Sequence, residues 1–173
     1  MSQESRASRR VLVVEDEVDL RDLLVEYFRG RGHQVVGAAD GRSAVATLER
    51  EAFDLVITDL QLPGVDGLGV LTAARRLHPG IYVVIVTGFA SLDSAIQAVR
   101  LGAYDYLTKP FSLGQIDVVL RRIGDYAALQ AENERLARQV AQKDGLDLRQ
   151  AFLTRLEAIE NRLTRIEAAL RSR

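Results

Sequence analysis

The sequence predicts a five-stranded, doubly wound parallel α/β domain followed by long helices, and three observations predict it. Short β-branched runs recur five times in the first 120 residues, stretches with helical spacing separate them, and three of the runs are apolar without alternation. A periodicity that switches repeatedly between strand and helix marks consecutive βα units, which pack as a parallel sheet with helices on both faces. Unalternating apolar runs suit strands buried on both sides.

The strands are expected at residues 11–14, 35–36, 55–58, 82–86 and 104–108, the unalternating ones being 11–14, 55–57 and 82–86. Between them, Leu20, Leu23, Leu24, Tyr27 and Phe28 share the apolar face of a first helix. Ala44, Val45, Leu48 and Ala52 define a second, and Val70, Leu71, Ala74 and Leu77 a third. Leu92, Ala95, Ile96, Val99 and Leu101 define a fourth, less cleanly. Gly30, Gly32, Gly64, Gly80 and Gly102 punctuate helix ends and loops. The domain spans 9–124, behind a disordered tail at 1–8.

Composition agrees with one such domain plus an extension. Of 173 residues, 47% are apolar and 27% charged, enough for a packed core. The 23 Lys and Arg nearly balance 24 Asp and Glu, so the net charge of −1 gives no general attraction to nucleic acid or anionic membrane. The absence of cysteine excludes disulfides, thiolate metal sites and redox thiols. The longest purely apolar run, 81–86, is far shorter than the ~20 residues of a membrane helix. No signal peptide is visible, and a cytoplasmic protein is expected.

After Ser112 the composition shifts to Arg, Glu, Ala, Gln and Leu, predicting a helix over 113–143 whose 125–144 part extends the last helix of the domain. Val119, Tyr126, Asn133 and Val140 repeat every seven residues, with Leu129 and Leu136 at d spacing but Arg122 and Lys143 also at d. Asp144-Gly145 is read as a break. Over 145–173, Phe152, Leu156, Ile159, Leu163, Ile166 and Leu170 then alternate steps of four and three, a coiled-coil seam of about three heptads. Arg155 and Arg162 at g face Glu160 and Glu167 at e of a parallel partner. The same stripe also fits a helix folded back on its own domain; the matched charges favour the coil.

In a doubly wound sheet, ligands bind beyond the carboxyl ends of the strands. Glu15 and Asp16 follow the first strand, Asp59 ends the third, Thr87 follows the fourth and Lys109 the fifth. If strands one and three are neighbours, three carboxylates converge and repel, which a hard divalent cation relieves; an open, all-oxygen site favours Mg²⁺. Taken singly, each of these residues could be a helix cap, a turn residue or a solvated charge. Their joint placement at the correct strand ends points to phosphoryl chemistry.

The segments Val-Leu-Val-Val-Glu-Asp-Glu, Ile-Thr-Asp-Leu-Gln-Leu-Pro-Gly-Val-Asp-Gly, Val-Thr-Gly and Gly-Ala-Tyr-Asp-Tyr-Leu-Thr-Lys-Pro-Phe resemble the receiver domain of bacterial two-component response regulators, of NtrC-like flavour. The resemblance implies a flavodoxin-like sheet of order 2-1-3-4-5. It implies that Asp59 accepts a phosphoryl group from a histidine kinase, with Asp16, Asp59 and the Gln61 carbonyl holding Mg²⁺ and Glu15 acting through a water. It further implies that Thr87 and Lys109 bind the phosphoryl group, that Tyr106 is the aromatic switch, and that Lys109-Pro110 is cis. Gln61 and Phe89 would border the path of the hydrolytic water and set the lifetime of the phosphate.

No P-loop follows Gly124, so no ATPase module is expected. Residues 121–173 carry 11 basic and 8 acidic residues, too mild and dispersed for a DNA-binding footprint. The expected protein is a regulator, not an enzyme beyond its own phosphorylation and autodephosphorylation. It would act through self-association, dimer first and tetramer second, or through a protein effector at the C-terminal helices. The alternative is the receiver and linker of a larger NtrC-like activator. His33 and His78, beside Gly32 and Pro79, are expected in solvent-exposed loops.

Overall fold

The computed structural model describes residues 8–171; in the last helix, side chains are described through Ala141 and at Leu153, Arg155 and Leu156. Strands β1 (Arg10–Val14), β2 (Gln34–Ala38), β3 (Leu55–Asp59), β4 (Tyr82–Thr87) and β5 (Asp105–Thr108) alternate with helices α1 (Val18–Arg29), α2 (Gly41–Arg50), α3 (Gly67–Leu77), α4 (Leu92–Arg100) and α5 (Leu113–Arg171). The sheet is parallel throughout, in the order β2-β1-β3-β4-β5. The expected strand positions and order are therefore met. Two compact units divide the chain, residues 1–123 and 124–173.

Each face of the sheet has its own core, because successive side chains of a strand point to opposite sides. On one face Val11, Val13, Leu55, Ile57, Val84 and Val86 pack with Leu24, Phe28, Ile116 and Ile123. On the other Leu12, Val14, Val56, Val83 and Ile85 pack with Leu48, Val70, Leu71 and Ala98. Polar contacts fix the helix ends. Asp40 caps α2 by accepting from the Ser43 N–H at 2.8 Å, and Asp66 caps α3 by accepting from the Gly69 N–H at 2.7 Å. Arg31 ties α1 to the start of α5 through a two-pronged pair with Asp117, 3.1 Å on each prong, while lying 3.6 Å from the Tyr27 ring centroid.

Several sequence expectations need correction. In α4 the inward line is Ala98 with half-buried Ser94 and Ala95, whereas Leu92, Ile96 and Val99 are exposed. Small residues let α4 lie close to the sheet, and its large apolar side chains face out. Leu23 of α1 is likewise exposed. His33 is buried, its Nδ1 accepting from the Arg9 N–H at 3.2 Å, and half-buried His78 meets the Leu48 carbonyl at 2.9 Å. Both rings serve as local staples of the fold. Ser8, expected in the disordered tail, donates to the Gly32 carbonyl at 2.8 Å; the rest of that tail lies outside the described residues.

The break expected at Asp144-Gly145 is absent, for helical backbone runs from Leu113 to Arg171. One glycine costs only about 1 kcal/mol in a helix interior, and the Leu, Arg, Gln and Ala around it are good helix formers. Tyr126, Leu129, Leu136 and Val140 are exposed, as is Leu156 of the expected seam. The side chains of Phe152, Ile159, Leu163, Ile166 and Leu170 lie outside the described residues. Among the described residues no helix is long and apolar enough to cross a membrane.

A tight backbone approach lies beside the end of β3. A Cβ on Gly67 would sit 2.1 Å from the Asp59 carbonyl oxygen and 2.8 Å from the Leu60 Cα, both immovable backbone atoms. Gly67→Ala should therefore cost roughly 1–3 kcal/mol by urea denaturation. Gly80→Ala, with nothing within 4 Å, should stay within about 0.5 kcal/mol of wild type. Equal stabilities would contradict the close approach.

Candidate functional site

The site is assembled by strand register. Val14 of β1 lies beside Thr58 of β3, Asp59 beside Val86 of β4, and Thr87 beside Thr108 of β5. The residues that follow or end these strands thus share one edge of the sheet. Glu15 extends the pairing by donating its N–H to the Ala38 carbonyl at 3.1 Å. Its side chain is buried, and its Oε2 lies 2.8 Å from Lys109 Nζ. The same ammonium lies 2.6 Å from Asp59 Oδ2, while Asp59 Oδ1 accepts from the Gln61 N–H at 3.0 Å. Asp16 is exposed on the rim, and carboxylate oxygens of Glu15, Asp16 and Asp59 all lie within 4.8 Å of one another.

Thr87 is fully buried and its Oγ1 accepts from the Phe89 N–H at 3.1 Å, which leaves its own hydroxyl proton available to donate. Lys109 is delivered from β5 by its N–H, which donates to the Thr87 carbonyl at 2.8 Å, and the Lys109-Pro110 bond is cis. Tyr106 is half-buried, its hydroxyl 2.9 Å from Ser94 Oγ. Phe89 is 69% exposed, and Gln61 is exposed at the start of the loop after β3.

Electrostatics follow from this crowding. Burial pushes the Glu15 carboxyl above the usual carboxylate range, outweighing the hydrogen bond and charge of Lys109. Burial works against the Lys109 charge, yet its hydrogen bonds to Asp59 and Glu15 together raise its pKa above the ordinary value. Three carboxylates against one ammonium form a hard, oxygen-only donor set that remains short of positive charge. Such a set fits Mg²⁺, which takes one or two carboxylates and keeps several waters.

Residues 11–121 match the response regulator receiver domain, and the chain belongs to that family. It is 33% identical over 138 residues to an NtrX-like response regulator of Rickettsia bellii, covering 79% of this chain and 29% of that protein. To the transcriptional activator protein PfeR of Pseudomonas aeruginosa it is 41% identical over 120 residues, covering 67% of this chain and 39% of that one. The crystal structure of NtrX from Brucella abortus in complex with ATP aligns with a TM-score of 0.67 at 36% identity, covering 75% of this chain and 30% of that one. The chain thus spans well under half the length of these relatives.

The structure brings Glu15, Asp16, Asp59, Gln61, Thr87 and Lys109 to one edge of the sheet, as the strand ends suggested. Three participants were not evident from sequence. Arg21 donates to the Glu15 carbonyl at 2.8 Å, Ser94 holds the Tyr106 hydroxyl, and Gly67 lies against the Asp59 carbonyl. Only Gly67 had a sequence signal, as part of the Pro-Gly-Val-Asp-Gly turn.

Lys109 offsets two buried carboxylates, so Lys109→Met should destabilise the protein by roughly 2–3 kcal/mol at pH 7. Because the folded pKa of Lys109 is raised, its contribution is complete below the ordinary value of 10.5 and is lost as pH climbs through the folded one. The gap between wild type and variant in chemical denaturation should therefore stay level from neutral pH up to 10.5 and close above it. A gap that persists unchanged in strong alkali would show that the lysine acts through packing alone.

Proposed function

We propose that the protein is a phosphorylation-activated response regulator in which Asp59 takes a phosphoryl group from the phosphohistidine of a histidine kinase. The observation that carries this reading is the cluster itself: three carboxylates within 4.8 Å, with Lys109 Nζ 2.6 Å from Asp59, at the carboxyl edge of a parallel sheet. A carboxylate oxygen of Asp59 forms the new bond to phosphorus as the phosphorus–nitrogen bond breaks and imidazole departs. Asp16, Asp59 and the Gln61 carbonyl would hold Mg²⁺, with Glu15 acting through a water. When bound, Mg²⁺ supplies positive charge against the oxygens of the in-line transfer.

The product carries added negative charge and new acceptor oxygens. Lys109 exchanges its contact with the Asp59 carboxylate for one with the phosphoryl group, and Thr87 turns its hydroxyl proton toward it. Tyr106 then swings inward as the aromatic switch, giving up Ser94 and biasing the surface formed by α4, β5 and the first turns of α5. Gln61 and Phe89 flank the path of the attacking water and set how long the phosphate lasts. The chemistry is limited to this phosphorylation and its reversal by autodephosphorylation.

Output passes through the C-terminal helices, by self-association or by docking a protein effector, in the cytoplasm and without direct membrane or nucleic-acid binding. A homodimer is the first expectation and a tetramer the second, through Phe152, Leu156, Ile159, Leu163, Ile166 and Leu170. A second reading, the receiver and linker of a larger NtrC-like activator, is favoured by the 29% and 39% of its relatives that the chain covers.

Acetyl phosphate with Mg²⁺ should add one phosphoryl group to the wild type by mass spectrometry, and none to Asp59→Asn or in excess EDTA. Undiminished labelling of Asp59→Asn would sink the assignment. Thr87→Ala should still be labelled but fail to switch. Light scattering should give a dimer for the wild type and a monomer for the double change Leu156→Glu, Leu163→Glu; identical masses would remove the seam from the account.

A further inference from the structure

Glu15 and Asp16 are consecutive, and consecutive side chains on a strand point to opposite faces. Both carboxylates nevertheless reach within 4.8 Å of Asp59 and of each other. The backbone therefore has to turn directly after β1, and mutual repulsion of the acids works to undo that turn. Something must hold the peptide groups on either side of it.

Arg21 does so. Its Nη1 donates to the Glu15 carbonyl at 2.8 Å and, more weakly, to the Asp16 carbonyl at 3.5 Å. The arm starts in the first turn of α1, where the Arg21 N–H donates to the Glu17 carbonyl at 2.9 Å. Its stem passes over Gly37 of β2, where an added Cβ would lie 3.5 Å from Arg21 Cγ and Cδ. Gly37 pairs with Val13, so the strand beside β1 offers a bare track along which the arm reaches back to the loop.

We infer, resting on the Mg²⁺ reading above, that Arg21 is a positioning residue for the metal site: it orients the Glu15 and Asp16 peptide groups so that their carboxylates converge on Asp59. It touches carbonyl oxygens in the contacts described, and it acts through the two acids. Groups that orient metal ligands in this way commonly change metal affinity by 10–100-fold when removed. Charge alone would have the opposite effect, because a nearby guanidinium repels a dication and its removal would tighten binding. The sign of the change therefore separates positioning from bulk electrostatics. Lysine keeps the charge, but its ammonium stands one atom closer to the backbone on a flexible stem and does not reproduce the contact.

The test is Mg²⁺ titration of the full chain by isothermal calorimetry, for wild type, Arg21→Gln and Arg21→Lys, with thermal unfolding of each in EDTA. Both variants should bind Mg²⁺ about tenfold more weakly. Their Mg²⁺-free unfolding midpoints separate this from a general loss of fold, and phosphorylation by acetyl phosphate should return to the wild-type extent at saturating Mg²⁺. Wild-type affinity in both variants, or tighter binding by Arg21→Gln, would overturn the positioning role while leaving the metal site standing. No Mg²⁺ binding by the wild type would overturn the metal reading and this role together. If Arg21→Gln does not fold, Arg21→Lys carries the comparison, and wild-type affinity there would overturn the role.

Discussion

Three carboxylates held at one sheet edge against a single ammonium form the constraint on which the rest of the structure depends. Like charges at this spacing repel, and burial of Glu15 makes its ionised form costly. The fold keeps them together because each is fixed by an element that is stable for other reasons. Glu15 is tied to β2 through Ala38, Asp59 closes a fully buried β3, and Lys109 is delivered by β5 through the Thr87 carbonyl. The hydrophobic cores on both faces of the sheet supply the stability that an arrangement so rich in repulsion draws upon.

The same edge connects outward. Thr87 is bonded to the N–H of Phe89, the second residue of the loop that leads into α4. At the start of α4, Ser91 and Ser94 form a reciprocal cap, and the Ser94 hydroxyl also meets Tyr106 at 2.9 Å. A change at Thr87 is therefore two residues from a loop whose next turn carries the partner of Tyr106. The exposed Leu92, Ile96 and Val99 stand on that same helix. Neighbouring hydrogen bonds thus lead from the carboxylate edge toward α4, with no long-range path required.

Much of this was legible in the residues. The unalternating runs located β1, β3 and β4, and the side chains at their ends located Glu15, Asp16, Asp59 and Thr87. Helix interiors with one apolar stripe, such as Val70, Leu71 and Ala74, were equally clear. In α4 the inward line is made of small residues, half-buried Ala95 and buried Ala98, while its large apolar residues face outward. A hydrophobic count cannot separate those two faces. For the histidines, glycine and proline neighbours signal a loop but not its burial. Arg21 was invisible because an arginine in a first helical turn has no pattern; only the reach of its arm to two carbonyls reveals its place. Gly145 does not break the helix, because a single glycine among good helix formers costs less than the surrounding helix supplies.

In the proposed function, the cluster of Glu15, Asp16, Asp59 and Lys109 is a joint metal and phosphoryl site whose occupation moves Thr87 and Tyr106. The most direct measurement is a two-dimensional amide NMR titration with fluoroberyllate, a stable stand-in for a carboxylate-bound phosphoryl group, with and without Mg²⁺. Large shifts are expected at Asp59, Thr87, Phe89, Ser94 and Tyr106 that require Mg²⁺ and vanish in Asp59→Asn. Shifts that are independent of Mg²⁺, or that stop at Asp59 and leave Thr87 and Tyr106 unmoved, would contradict the proposed function.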